Sequence, residues 1–402
     1  MACVLMTGSV LLTLLALEVG LRVIGRHDED GNFHVGWSRM KPYRLPLKRA
    51  ESLVAQAADP RAREVYDPWL GWKQRPDGTN WSAAGMRLDP RAPLEPSPAP
   101  RAGVLRIALF GDSFTESIVD YHQTWGVQLQ TNLLAAGINA EVLNFGNSAY
   151  GMDQALLRWR MQGSRMRPHL VIFGLQAENL ERNINLIRLF QAYDSQLPFT
   201  KPRFVLQGDG ALKLVNSPCA PPEKLPELLR GLDAWEWTAH EAYYHPEDYA
   251  PTLWRRSRLL AFIEMRLDIR RTIQARVANN QAHSEAGRLG RAIIRQFAEE
   301  ARADAGAAFL ILHLPPPRDI AALAEGKSFT HEPLLRDLVD AGFEVLRPEQ
   351  ALLEVFKVVP SEQFERQGHY AEAGESAIAR HVAERLVERQ RKRAREANPG
   401  GD

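Results

Sequence analysis

Residues 106–117 read Arg-Ile-Ala-Leu-Phe-Gly-Asp-Ser-Phe-Thr-Glu-Ser, an apolar run that stops at a small acidic turn carrying Ser113. A strand ending there presents the serine at the carboxyl edge of a sheet, where open α/β folds keep their chemistry. From Phe114 onward the chain can open a helix whose first amides point at the serine oxygen. A serine hydroxyl is a poor nucleophile until a base takes its proton, and a histidine titrating near neutrality is the usual base. His369, in Gly368-His369-Tyr370 just before a helical run, fits the base, and Ser113 fits the nucleophile, of an ester cleavage.

The elements that must position these residues follow from periodicity. Apolar alternation predicts strands over 105–110, 140–145, 169–174, 307–313 and near 343–346. Helices are expected over about 122–137, 152–163, 284–303 and 372–391. That spacing is the pattern of βαβ units and a parallel sheet. Residues 197–290 interrupt it as an insertion. Within them Gly208-Asp209-Gly210 separates two apolar runs, a hairpin signal, and a basic helix follows over 254–278. Residues 29–100 show no sustained period and read as a leader wrapping the core, with an extended proline-rich linker at 90–100.

Four segments in order resemble the blocks of the SGNH/GDSL hydrolase family. Gly111-Asp112-Ser113 resembles its nucleophile turn, and 142–147 (Val-Leu-Asn-Phe-Gly-Asn) the second strand with its oxyanion-hole glycine. Residues 168–174 followed by Glu178-Asn179 resemble the third block, a strand leading to an asparagine, and Gly368-His369-Tyr370 the histidine block. With the lead-in 66–72, the resemblance covers about residues 66–390. It implies an α/β fold of three layers (α/β/α, flavodoxin-like) with a parallel sheet and an inserted subdomain, occupying 101–390. It also implies catalysis by Ser113 and His369, with an oxyanion hole drawn from the Ser113 and Gly146 amides and the Asn179 side chain. Many members carry aspartate three residues before the histidine, where this chain has Arg366, which cannot accept a hydrogen bond. Glu365 or Glu362 would then orient the ring, or a main-chain carbonyl would, leaving a Ser–His dyad. Residues 80–87 resemble a family turn, Asn-x-x-Gly-x-Arg, with two extra residues before Gly85. The implied activity is that of a serine-dependent esterase or O-acyltransferase acting on acylated envelope or exported carbohydrate. The alternative is a non-catalytic carbohydrate-binding or assembly protein that keeps the fold with a degenerate triad.

The 402 residues, 45% hydrophobic, are enough for one large core. A net charge of +1 gives no argument for a nucleic-acid partner. Cys3 and Cys219 lie in unlike contexts, so no disulfide, metal or other cofactor is expected. The first 17 residues carry no charged side chain, and the apolar run continues past Glu18 and Arg22, which are spaced to pair on one helix face. Residues 1–28 therefore read as a transmembrane anchor or a signal segment, long enough to span a bilayer and without the basic start of a signal peptide. Arg22 and Arg26 at its far end place the body in the cytoplasm by the positive-inside rule. The family resemblance favours an extracytoplasmic body, periplasmic or at the cell surface. The basic residues 391–402 read as a disordered tail.

Overall fold

The computed structural model describes residues 2–397. The chain forms two compact units, one of Met1–Ala62, Asn185–Thr200 and Ala220–Ala278, the other of Arg63–Ile184, Lys201–Cys219 and Asn279–Asp402. In chain order, helix α1 (Ala2–Ile24) opens the first unit. The second unit is built on five parallel strands: β1 (Leu105–Phe110), β2 (Ala140–Asn144), β3 (Leu170–Leu175), β4 (Ala308–His313) and β5 (Val345–Leu346). Their order is β5-β4-β3-β1-β2, so the chain runs one way from β1 to β2 and the other way from β3 to β5. The reversal leaves a crevice at the carboxyl ends of β1 and β3, the usual site of chemistry in such sheets.

Helices α2 (Ser113–Glu116), α3 (Trp125–Ala135), α4 (Met152–Arg158) and α5 (Glu178–Asn183) follow the first three strands. The chain then forms α6 (Arg258–Asn279) and returns through α7 (Glu285–Ala305) to β4, closing with α8 (Glu372–Ala397). Period-two alternation in β1 sends Ile107 and Leu109 to one face, where they pack with Trp125 and Leu129 of α3 and Ile378 and Val382 of α8. Phe110 faces the other way, stacked on Phe145 at 4.8 Å and edge-on to Phe297 of α7 at 5.3 Å. Each such ring or branched chain, fully buried, contributes about 1.5–3 kcal/mol. Helices on both faces of a parallel sheet make the three layers expected.

Several boundaries differ for identifiable reasons. The helix at Phe114 lasts one turn, ended by Ser117 at φ 66. The next helix starts at Trp125 because Glu375 Oε2 accepts from its amide at 2.7 Å and Thr124 Oγ1 accepts from Val127 N. Helix α4 is α-helical only to Arg158 and then widens into a π turn over Trp159–Gly163. Helix α8 runs on to Ala397, so 391–397 are helical instead of a disordered tail, and 398–402 lie outside the described residues. The hairpin pairs Arg203–Leu206 with Leu212–Val215 as expected, yet it belongs to the sheet unit and not to a continuous 197–290 insertion. Buried Lys201 pairs there with Asp153, and Cys219 N donates to Pro68 O at 2.7 Å. The leader likewise divides, since residues up to Ala62 group with the first unit. Its proline-rich part is tied down by buried Arg106, which donates to the carbonyls of Pro98 and Ala99.

In the first unit a three-stranded antiparallel ribbon over residues 26–40 packs Phe33 and Met40 against Ala261 and Met265 of α6. Tyr244 stacks on Phe190 at 5.3 Å and meets Tyr249 at 5.3 Å, a half-buried aromatic cluster of that unit.

Candidate active site

The nucleophile turn is fixed by what surrounds it. Gly111 sits at φ 154, and a Cβ there would lie 2.2 Å from Thr115 Oγ1 and 2.8 Å from Gly174 O, so no larger residue fits between β1 and β3. Asp112 caps α2: its Oδ1 accepts from Phe114 N at 2.9 Å. Its Oδ2 accepts from Asn179 Nδ2 at 3.0 Å and from Arg182 Nη1 at 2.7 Å. Arg182 is buried, and although burial works against its charge, Glu178 and Asp112 together raise its pKa above the ordinary value.

Ser113 Oγ lies 2.8 Å from His369 Nε2, across 256 residues of chain. The histidine stands on a two-stranded ribbon pairing Glu365–Arg366 with His369–Tyr370. The two residues of its turn, Gln367 and Gly368, both have positive φ, 52 and 77, the conformation that matches the twist of such a ribbon. This geometry places Gln367 O 3.1 Å from His369 Nδ1. A carbonyl only accepts, so Nδ1 carries the hydrogen and Nε2 offers its lone pair to the Ser113 hydroxyl. The Phe114 ring stacks on the imidazole at 4.7 Å, fixing its plane.

Of the alternatives for the orienting group, the structure selects the main chain. Glu362 and Glu365 are exposed and make no hydrogen bond to His369, and Arg366 is the residue paired with it across the ribbon. The oxyanion donors are only partly as expected. No hydrogen bond engages the Ser113 amide among the described residues. The Gly146 amide donates to Asn144 Oδ1 at 2.8 Å. Both hydrogens of the Asn179 amide are committed, one to Asp112 and the other to Tyr150 O at 3.1 Å. Asn179 thus braces the turn under Ser113 instead of presenting its amide, and its Oδ1 accepts from Gln176 N. Gly146 is needed for contact: a Cβ would lie 2.4 Å from Glu116 N.

Sequence reasoning missed three supports of this turn. Arg182 stands four residues after Glu178 on the first helix past β3, a spacing that signals a pair on one helical face. Buried Glu116 accepts from Gln74 Nε2 and Ser148 Oγ, each at 2.9 Å, and pairs with Arg63. Glu375 Oε2 accepts from Ser117 Oγ at 2.7 Å as well as from Trp125 N, and burial pushes its pKa up to about 8. The turn at 80–87 also matters, because Arg87 donates to the carbonyls of Glu116, Ser117 and Val119 and holds the loop after α2. His313, at the end of β4, is satisfied by Glu349 and His331.

No protein-family profile and no curated protein matches the chain. Among solved structures it is similar to a lipase/acylhydrolase from Enterococcus faecalis, at 12% identity over 71% of this chain and 96% of that one, with a TM-score of 0.35. A GDSL-like lipase from Bacteroides thetaiotaomicron is similar at 12% identity over 71% and 89%, TM-score 0.31. A catalytic mutant of an acetylxylan esterase from Geobacillus stearothermophilus follows at 11% identity over 70% and 93%, TM-score 0.33. Likenesses this distant say nothing of activity. By its strand order and its two helical layers the chain has a three-layer α/β/α architecture on a five-stranded parallel sheet, and the segments around Gly111, Gly146, Asn179 and His369 meet at the carboxyl edge of that sheet.

Proposed function

We propose that the protein is a serine-dependent hydrolase of esters working through a Ser113–His369 dyad. The observation that carries this is the 2.8 Å contact between Ser113 Oγ and His369 Nε2, with Nδ1 held by the Gln367 carbonyl. In the first half-reaction Ser113 Oγ attacks the acyl carbon while its proton passes to Nε2. The tetrahedral intermediate's oxyanion takes the Ser113 amide as a donor. Collapse breaks the bond to the alcohol, which leaves with the proton from Nε2. Water then enters, gives its proton to Nε2 and releases the acid by the same steps reversed. The test is turnover of p-nitrophenyl acetate by the full chain in detergent, beside Ser113→Ala. Turnover should vanish in the variant at unchanged melting temperature, and a fluorophosphonate should label Ser113 alone. Labelling elsewhere, or equal turnover by the variant, would refute the assignment.

We read α1 as an uncleaved membrane anchor. Residues Leu5–Ile24 form a helix long and apolar enough to span a bilayer, with none of its window buried. A cleaved leader is the rival, but Glu18 accepts from Ser257 Oγ and the amides of Arg258 and Leu259, so α1 caps α6 of the same unit. Acyl groups on envelope or exported carbohydrate are the substrate class proposed, with the body outside the cytoplasm. Protease access in intact spheroplasts tests that placement, and release of acetate from acetylated polysaccharide tests the substrate.

A further inference from the structure

Helix α6 is apolar on two sides, and only one of them is covered. Its inner side, Ala261 and Met265, packs on Phe33 and Met40. On its outer side Leu260, Ile263 and Leu267, spaced to share one helical face, are 47, 48 and 51% exposed. Leu253 and Trp254, just before the helix, are exposed as well. A soluble surface rarely leaves such a stripe bare without a partner.

Two further observations say what that partner is. The first is charge. Arg266 and Arg270 flank the stripe without an ionic partner among the described residues, and Arg271, 77% exposed, pairs only with Asp268 of the same helix at 3.5 Å. The carboxylates of α6 are turned to cations of the same unit, Glu264 to Arg255 at 2.6 Å and Asp268 to Lys41 at 2.7 Å. The outer face of the first turns is therefore leucine and isoleucine bordered by arginine, a pairing of apolar surface and positive charge that an anionic lipid interface attracts. The second is position. Glu18 caps the first turn of α6, and Arg22 Nη2 donates to Arg256 O at 2.9 Å. Glu18 precedes the end of the apolar helix at Ile24 by six residues, about 9 Å at 1.5 Å per residue. Interfacial helices sit with their apolar face about 5–10 Å into the boundary between headgroups and acyl chains. The start of α6 is thus pinned at the depth such a helix occupies.

We propose that α6 and the Leu253–Trp254 step form a second membrane contact, an interfacial helix that lies on an anionic lipid surface beside the α1 span. The proposal rests on reading α1 as a span. It explains why two charged residues sit inside an apolar helix: Glu18 and Arg22 are the joint that fixes α6 to it. A span alone leaves the chain free to turn about the bilayer normal and to tilt, and a second contact at the joint removes the tilt.

The test is site-directed spin labelling of the full chain, with Cys3→Ser, in nanodiscs of phosphatidylcholine with and without phosphatidylglycerol. Nitroxides are placed by Ile263→Cys and Leu267→Cys, with Leu11→Cys as the marker for the span and Arg336→Cys as the aqueous marker. Relaxation by oxygen relative to a water-soluble nickel chelate reports depth. Labels at 263 and 267 should give ratios close to that at 11 and several-fold above that at 336. Arg266→Glu with Arg270→Glu, or removal of phosphatidylglycerol, should lower the ratio at 263 at least about twofold. A ratio at 263 and 267 equal to that at 336, with 11 still lipid-like, overturns the proposal while leaving the anchor standing. Shielding of both from oxygen and nickel alike overturns it in favour of a second copy of the chain covering the face. A ratio insensitive to phosphatidylglycerol overturns the anionic preference, and an aqueous reading at 11 removes anchor and proposal together.

Discussion

Replacing Glu375 with glutamine is expected to release the fold from a penalty that grows with pH. The carboxyl is buried, and desolvation raises its pKa from an ordinary 4.5 to about 8 even though Ser117 Oγ and Trp125 N donate to it. Between those two values the native state keeps a proton that the unfolded chain has released. Stability therefore falls as pH rises through this window, and the contribution of the carboxyl is whole only below 4.5. The window is about 3.5 pH units wide at about 1.4 kcal/mol each, or roughly 5 kcal/mol in all, against a net domain stability of ~5–15 kcal/mol. Glutamine keeps a carbonyl oxygen for both donors and does not titrate. Urea unfolding of the wild type and Glu375→Gln in parallel, from pH 5 to pH 8, isolates this one group, because every other titration cancels in the difference. That difference should move in favour of glutamine by about 1.4 kcal/mol per pH unit between pH 5.5 and 7.5. A difference that stays flat over the range would show that the carboxyl ionises freely in the fold and would refute the reasoning.

Glu362→Gln and Glu365→Gln should each leave turnover of p-nitrophenyl acetate within about twofold, whereas loss of a true orienting acid costs roughly 10⁴-fold in kcat; a large loss at either glutamate would overturn the dyad. Arg182→Met should destabilise the fold by about 3–5 kcal/mol by leaving Asp112 buried without its cation, and Asp112→Asn in the same chain should recover much of it. Additive losses in that double variant would show that the pair does not interact. His331 is driven down to about 3 from 6.5 by burial and by neighbouring His313, so the native state binds fewer protons than the unfolded chain in that range. Stability should fall as pH drops below 6.5, and His331→Gln should flatten the fall by up to about 1.4 kcal/mol per pH unit in parallel melts.

The sheet was legible because its strands are short apolar runs at βαβ spacing. Strand β1 at Leu105–Phe110 and the approach of Ser113 to His369 both follow from local pattern and block order. What stayed hidden depends on partners distant in sequence. The start of α3 at Trp125 is set by a carboxylate 250 residues later, which no window of neighbouring residues contains. The commitment of Asn179 to Asp112 and Tyr150 depends on where three loops meet, so its residue type pointed to a donor while its surroundings decided what it donates to. The choice of orienting group among Glu365, Glu362 and a main-chain carbonyl stayed open for a different reason. Every residue has a carbonyl, so Gln367 O leaves no mark in residue types, although Gly368 after it is the residue such a turn favours. The unit boundaries failed because chain order is not spatial order: 201–219 return to the sheet unit between two segments that do not.

The ribbon that carries His369 has two residues per strand and a single ladder, Glu365 with Tyr370 and Arg366 with His369. Residues 365–368 are exposed while Tyr370 is locked in the core, so the tip of the ribbon can open without moving the five strands beneath it, and local openings of this kind cost far less than global unfolding. In the open form Ser113 has no base, so the observed rate is the rate of the closed form multiplied by its population. Heating would then depress turnover well below the melting temperature of the domain, with a plot of log rate against inverse temperature bending over while the core stays folded. Gln367 is the natural place to shift that balance. It holds a backbone conformation that asparagine adopts more readily, so Gln367→Asn should move the bend to higher temperature without touching any group that meets substrate. For the dyad proposed above, the population of working base would follow the thermodynamics of a four-residue turn.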